Sequence, residues 1–248
     1  MIMNKKILII PDVHGRTFWR TALDTGNYEK IIFLGDYVDP YVYEGIDKLQ
    51  ALSNFKAILS LKMIYRDKVV LLLGNHDLCY YSDHYRNKVG GDRYDYEHEK
   101  ELQQLFRSRT DLFKLAHEET LGGKHYLFSH AGVTMTWLKQ NSSIIVKPDA
   151  AHLNHLLDTN KGMDTLAQVG AARWGIYPSG SMVWADIEEL LESNPLPDTY
   201  QIVGHTMQME GPIITDKVAC LDCRAGFSLN KKGEVLPVTE VTPYEVTW

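Results

Sequence analysis

Residues 68–77 read Lys68-Val69-Val70-Leu71-Leu72-Leu73-Gly74-Asn75-His76-Asp77. A run of Val and Leu without polar alternation describes a central strand covered on both faces, and a glycine ends it. An amide, an imidazole and a carboxylate follow at the carboxyl end of that strand, where open α/β sheets gather their ligands. The design recurs along the chain. Ile7-Leu8-Ile9-Ile10 runs into Pro11-Asp12-Val13-His14, and Ile31-Ile32-Phe33-Leu34 into Gly35-Asp36-Tyr37-Val38-Asp39. Tyr126-Leu127-Phe128 runs into Ser129-His130-Ala131-Gly132, and Tyr200-Gln201-Ile202-Val203 into Gly204-His205-Thr206. Five strand ends thus carry residues of the kind that ligate metals.

The segments between them complete the architecture. Phe18, Trp19, Ala22 and Leu23 predict a crossover helix over 15–24. Leu49, Leu52, Phe55, Ile58, Leu59 and Ile64 predict a second over 45–65, which closes a βαβαβ half-sheet. Residues 80–120 read as a Tyr-rich helical insertion that opens with Tyr80, Tyr81, His84, Tyr85, Tyr94 and Tyr96 and turns helical from about 98 to 115. It is either a rim or lid over the strand ends or a surface insertion with tyrosines packed against it. Short helices are expected over 133–140, 149–159 and 186–191, the last stopped by Asn194-Pro195 and Pro197. The Gly-rich stretch 161–182, with Arg173 and Trp174, reads as a loop and a candidate substrate contact. From 200 onward the pattern gives strands and turns, with Lys231-Lys232-Gly233 as a hairpin turn, so an antiparallel second sheet is expected. No repeat or linker divides the chain, and residues 1–248 read as a single domain.

Composition narrows the function. The chain has 248 residues, 44% apolar and 23% charged, which is ordinary for a globular α/β protein. Its net charge of -6 supplies no basic surface for nucleic acid, so a nucleic-acid substrate is disfavoured. The few apolar residues before Pro11 are too short for a leader, and no later run reaches transmembrane length; a cytoplasmic protein without membrane association is expected. Cys79, Cys220 and Cys223 are odd in number, and the Cys220/Cys223 spacing has no second pair to complete a zinc site, so all three read as buried thiols.

Collected from the strand ends, Asp12, His14, Asp36, Asp39, Asn75, His76, Asp77, His130 and His205 mix carboxylate and imidazole donors. Such a set suits divalent Mn, Fe or Zn, and its size is sufficient for two ions, which can clamp a phosphoryl group. Asp-x-His, Gly-Asp-x-x-Asp, Gly-Asn-His-Asp, Ser-His-Ala-Gly and Gly-His-Thr, in this order, resemble the calcineurin-like metallophosphoesterases. The wording of the central motifs, with Val183-Trp184-Ala185-Asp186, is most similar to the phosphoprotein phosphatase branch. The Gly-His-x-His ending of many nuclease and phosphodiesterase relatives is absent, because position 207 is Met207.

That resemblance implies a four-layer α/β/β/α sandwich of two mixed sheets flanked by helices. It implies that Asp12, His14 and Asp36 bind one metal and that Asp36 bridges to a second, completed by Asn75, His130 and His205. A hydroxide between the ions, manganese foremost with iron or zinc as alternatives, would attack phosphorus directly. His76, paired with Asp39, would protonate the leaving oxygen or steady the developing charge, while Asp77 would be structural or catalytic. The branch usually follows the second Asp with Arg-Gly, a phosphate clamp; here Pro40-Tyr41 stands instead. Arg173 and Arg224 are the candidate replacements. The expected activity is phosphomonoester hydrolysis, as in a protein serine/threonine phosphatase, on a phosphoprotein or small phosphate ester. The rival readings are a diadenosine tetraphosphatase-like nucleotide hydrolase, with tyrosines 80–96 and Trp174 stacking a base, and a scaffold that has lost catalysis.

Overall fold

The computed structural model describes residues 6–192 and 196–242. The expected helix stop at Asn194-Pro195, and the first five residues on which the leader reading partly rests, lie outside them. Strand β1 (Ile7–Ile10), helix α1 (Phe18–Asp24), strand β2 (Lys30–Phe33), helix α2 (Lys48–Tyr65) and strand β3 (Val69–Leu72) form the expected βαβαβ half-sheet. β1 pairs in parallel with β2, and β2 with β3. Helix α2 starts where Asp47 accepts from the Gln50 amide and the Gln50 side chain accepts from the Asp47 amide, a reciprocal cap that satisfies otherwise unpaired donors.

Three short helices follow: α3 (Asn75–Tyr81), α4 (Asp83–Val89) and α5 (Glu99–Arg107). The helix expected to reach residue 115 stops at Arg107. Phe113 and Lys114 instead form β4 (Phe113–Lys114), which pairs in parallel with β3, and the Phe113 ring packs 5.2 Å from that of Phe106. A strand absent from the sequence reading, β5 (Ala116–Leu121), forms a hairpin with β6 (Lys124–Ser129). Gly122 and Gly123 turn it with φ of 58° and 82°, values that glycine adopts without steric cost. Next come α6 (Met135–Gln140), α7 (Ala150–Asn154) and α8 (Asn160–Leu166). Helix α8 lies in the stretch read as a loop; its Gly162 amide is capped by the Thr159 hydroxyl, a signal masked by the surrounding glycines.

Helix α9 (Ile187–Glu192) precedes β7 (Thr199–Val203), β8 (Ile213–Ile214), β9 (Val218–Cys220), β10 (Phe227–Leu229) and β11 (Val235–Pro237). These strands do not make a separate antiparallel sheet. β7 runs parallel to both β6 and β9, and β10 crosses to the first sheet to pair antiparallel with β1. The sheets read β11-β10-β1-β2-β3-β4 and β5-β6-β7-β9-β8, and both are mixed. Alternation along a strand shows which face is apolar but not which strand will lie beside it.

The layers follow from the same alternation. Ile7, Ile9, Ile32, Leu34, Val70 and Leu72 meet Tyr126, Phe128, Tyr200 and Ile202 between the sheets. Leu8, Ile10, Phe33 and Leu71 face outward to Trp19, Leu52, Phe55 and Ile58 of α1 and α2. On the far side, Ile187 and Leu190 of α9 cover Val203, Val218 and Cys220. Two mixed sheets packed face to face between helices is the expected sandwich. Burying each such aliphatic side chain contributes about 1.5–3 kcal/mol. All three cysteines are free and buried.

The tyrosines behave differently from the expectation of a rim. Tyr80, Tyr85 and Tyr94 are core residues, and Tyr80 stacks on Tyr94 at 4.3 Å, while Tyr96 stays exposed. Each hydroxyl finds a partner, Tyr85 accepting from Trp184 Nε1 at 2.6 Å, which removes the cost of burying an unpaired phenol hydroxyl.

Candidate metal centre and active site

The strand-end loops are sewn together by main-chain bonds before any side chain matters. The Val13 and His14 amides donate to the Asp36 carbonyl at 3.1 and 2.6 Å, joining the loops after β1 and β2. Asp77 accepts from the amides of Asp36 (2.7 Å), Tyr37 (3.0 Å) and Gly74 (2.8 Å), joining the loops after β2 and β3. The Gly204 amide donates to the His130 carbonyl at 2.8 Å, and the His205 amide to Asp12 Oδ1 at 2.9 Å, which brings the second sheet to the first. Close approach forces small residues here: a Cβ on Gly74 would stand 2.1 Å from Asp36 Oδ1, and one on Gly204 2.2 Å from Asp12 Oδ1.

His14, Asp36, Asp39 and His205 all carry positive φ, between 43° and 66°. For residues other than glycine this costs roughly 1–3 kcal/mol each, and such strain concentrates where function holds a backbone in place. Ligand atoms of Asp12, Asp36, His130 and His205, all buried, lie within 4.8 Å of one another. His14 Nε2 is 3.5 Å and His130 Nε2 3.6 Å from the same oxygen, Asp36 Oδ2. Asn75 Oδ1 lies 3.0 Å from His130 Nε2, and so does His205 Nδ1. Seven of the residues expected at the site, Asp12, His14, Asp36, Asn75, His76, Arg173 and His205, line one cavity of about 290 Å³.

Hydrogen bonds outside the cluster decide the tautomers. His14 Nδ1 donates to the Val38 carbonyl and His130 Nδ1 to that of Leu34, each at 2.9 Å, so both Nε2 atoms turn lone pairs toward Asp36. Burial holds His14 and His205 well below the ordinary imidazole pKa and lowers His130 as well, so none of the three brings a proton to offset that carboxylate. Burial would raise Asp36, but the positive charge that His130, His76 and His14 gain as they protonate in acid outweighs it and brings the carboxyl to about 2. Asp12 goes the other way, pushed up to about 7 by burial and then by Asp36. His205 Nε2 is buried without a hydrogen-bond partner. Imidazole nitrogens and carboxylate oxygens converging on one buried space fit a cation, and the imidazole-carboxylate donor set fits Mn, Fe or Zn.

Beside the cluster, His76 Nδ1 lies 2.9 Å from Asp39 Oδ2, and Tyr80 donates its hydroxyl to Asp39 Oδ1 at 2.5 Å. Burial would lower His76, but Asp36 and Asp39 outweigh it and raise the pKa. Asp77 touches main-chain donors only, which accounts for it as a structural residue. Arg173 reaches the cavity with Nη2 tied to Thr206 Oγ1 (2.9 Å) and Asp186 Oδ2 (3.0 Å). Arg224 is not among the cavity's lining residues; its guanidinium lies 3.5 Å from Glu44. The sequence reading missed Arg93. Its Nη1 donates to the Asp39 carbonyl and its Nη2 approaches His76 Nε2, both at 2.9 Å. The two positions are 54 residues apart along the chain, and no motif surrounds Arg93.

The chain resembles known proteins in sequence and in fold. The chain is 26% identical over 192 residues, 75% of its length, to a probable serine/threonine-protein phosphatase of Encephalitozoon cuniculi. It spans only 35% of the length of that relative. Among solved structures, 98% of the chain superposes on 81% of a Saccharomyces cerevisiae protein serine/threonine phosphatase at a TM-score of 0.51 and 16% identity, a likeness of fold. A metallophosphoesterase of Sphaerobacter thermophilus matches more distantly, with 98% and 88% of the chains covered, a TM-score of 0.44 and 13% identity. The calcineurin-like phosphoesterase family model matches residues 5–209, strand ends included, and the chain belongs to that family.

Proposed function

We propose that the protein is a two-metal phosphomonoesterase of the serine/threonine phosphatase kind, with phosphoserine or phosphothreonine peptides among its candidate substrates. The observation that carries this reading is Asp36 Oδ2 lying between His14 Nε2 and His130 Nε2 at nearly equal distance. An oxygen so flanked suits a carboxylate shared by two ions, with Asp12 and His14 on one side and Asn75, His130 and His205 on the other. When bound, divalent ions supply Lewis-acid stabilisation of the phosphoryl oxygens and a nucleophile from water at neutral pH; manganese heads the candidates, before iron and zinc.

The chain's own groups do the rest. Asp39 holds His76 by its Nδ1 proton, leaves Nε2 facing the cavity and raises the pKa of the ring, which equips His76 to donate a proton to a leaving oxygen. Tyr80 fixes the Asp39 carboxylate from the other side. Arg173, lining the cavity, is the proposed contact to phosphoryl oxygens, and the ion pair of Arg224 with Glu44 makes it the weaker candidate.

Exposed Trp174, also on the cavity wall, favours a second reading as a nucleotide hydrolase, its indole stacking a base. The buried tyrosines at 80, 85 and 94 offer no such surface. A catalytically dead scaffold is disfavoured, because keeping every costly buried carboxylate and imidazole together has no physical reason without an ion.

The test is hydrolysis, with added manganese, of p-nitrophenyl phosphate, its bis-ester, a phosphoserine peptide and diadenosine tetraphosphate, with Asp36→Asn as the blank. Preference for the monoester and the peptide is expected. Preference for the dinucleotide moves the protein to the second reading, and no hydrolysis above the Asp36→Asn blank refutes both.

A further inference from the structure

Arg93 is the cationic side chain whose place in the cavity nothing in the foregoing uses. It belongs to the segment between α4 and α5, lines the cavity, and has a φ of 57°, a backbone conformation that arginine adopts only under constraint. Its guanidinium lies over the Tyr41 ring at 3.7 Å and donates through Nη1 to the Asp39 carbonyl. Tyr41 thus provides a platform next to Pro40, where the chain lacks a guanidinium of its own. The side chain is 17% exposed.

What Arg93 touches at the cavity end is a neutral nitrogen. His76 keeps its proton on Nδ1 for Asp39, so His76 Nε2 accepts from Arg93 Nη2. Its carboxylate partner among the described residues, Asp92, stands 3.4 Å from Nε and is 84% exposed, so solvent screens that pair. Other arginines nearby are neutralised more fully. Arg16 forms a fork on Glu44 at 2.8 and 2.9 Å, and Arg173 Nη2 sits on Asp186. Arg93 therefore presents a held guanidinium to the same cavity as Asp12, Asp36 and His205, with an uncharged and exchangeable acceptor at its tip.

We propose that Arg93 is a phosphate-binding residue of this site, its Nη2 exchanging His76 Nε2 for a phosphoryl oxygen when a monoester dianion enters. The assignment rests on the phosphoesterase reading above. The exchange frees His76 Nε2, where the ring can take a proton from solvent and pass it to the leaving oxygen, so one guanidinium both binds the dianion and releases that nitrogen. It also ties recognition of a terminal phosphate to the segment between α4 and α5. A diester, with one negative charge fewer, gains less from Arg93.

The experiment titrates inorganic phosphate into the manganese-loaded full chain by calorimetry, with Arg93→Ala, Arg93→Gln and Arg173→Ala alongside. Metal content and circular dichroism are measured on every sample. Losing a charge-assisted hydrogen bond is expected to weaken phosphate binding about 10- to 100-fold in Arg93→Ala, with metal content unchanged. Arg93→Gln keeps a donor for the Asp39 carbonyl without the charge, and is expected to match Arg93→Ala in phosphate affinity. The ratio of monoester to bis-ester hydrolysis should fall in both. Phosphate affinity within twofold of the unmodified chain, with or without a drop in kcat, overturns the proposal and leaves Arg93 a positioning residue for His76. An unmodified chain that neither binds phosphate nor hydrolyses any ester overturns the phosphoesterase reading itself.

Discussion

The floor of the cavity and its rim are built on different principles. On the floor, Asp12, Asp36, Asn75 and His205, with His130 buried beside them, each stand within a few residues of a strand end and are aligned by main-chain bonds between loops. On the rim, Arg93, Arg173 and Trp174 come from irregular segments and are held by side-chain contacts, or, in the case of Trp174 with 98% exposure, project into solvent. Strand pairing fixes the floor to within a hydrogen bond, so its residues tolerate almost no change. The rim can change its contacts without disturbing the sheets. On the proposed reading, metal chemistry belongs to the first region and substrate choice to the second.

Substitutions can break or sharpen that division. The largest effect is expected at the floor's edge: His76→Asn should lower turnover about 10²-fold or more with metal content unchanged, as read by steady-state kinetics and metal analysis. Turnover equal to the unmodified chain would remove His76 from proton transfer. Tyr80→Phe withdraws the hydroxyl that donates to Asp39 Oδ1 and accepts from the Asp95 amide at 2.6 Å. Turnover should fall about tenfold, as for other residues that orient a reacting group, and a buried amide left unpaired should cost about 1–3 kcal/mol in denaturant unfolding. Full activity with lost stability would make Tyr80 a core residue only.

Acidity divides the floor itself. In metal-free protein Asp12 titrates near 7, against about 4 in an unfolded chain. The folded state then holds the proton more tightly, so this group's contribution to stability falls as pH rises from about 4 to about 7 and is constant above. Asp36 works oppositely: its folded value of about 2 adds stability as pH rises from about 2 to about 4. Thermal unfolding of metal-free protein from pH 4 to 8 should therefore show a decline that added manganese suppresses, because binding needs the deprotonated carboxylate. A flat profile without metal would contradict the account of Asp12. Smallest is Trp174→Ala at the rim. Exposure there limits the stability change to about 0.5 kcal/mol, and hydrolysis of p-nitrophenyl phosphate should be unchanged, while KM for a bulkier ester rises. A large loss on the small ester would place Trp174 with the floor.

Much of the floor was legible because its motifs follow strands whose apolar runs are unmistakable, and each motif lies within one short segment of chain. Asp77 illustrates the limit. Sequence left it between catalysis and structure, and only three amides from two different loops decide for structure. Tyr80, Tyr85 and Tyr94 were not legible as core residues because the partners that satisfy their hydroxyls come from residues up to 99 positions away. β4 and β5 were missed because a two-residue strand has no periodicity and because His117, Glu118 and Glu119 interrupt the apolar pattern of the other.

By itself the amino-acid sequence determined the strand-end motifs, the βαβαβ half-sheet and the chemistry of the donor set, since each depends on residue type and local spacing. Tertiary structure alone decided that β10 joins β1, that β7 runs parallel to its neighbours, and that Arg93 rather than a residue next to Asp39 brings a guanidinium to His76. Those outcomes depend on which distant segments share a sheet edge or a cavity wall, and pairing of that kind is selected by the packing of the whole core, which no local pattern encodes.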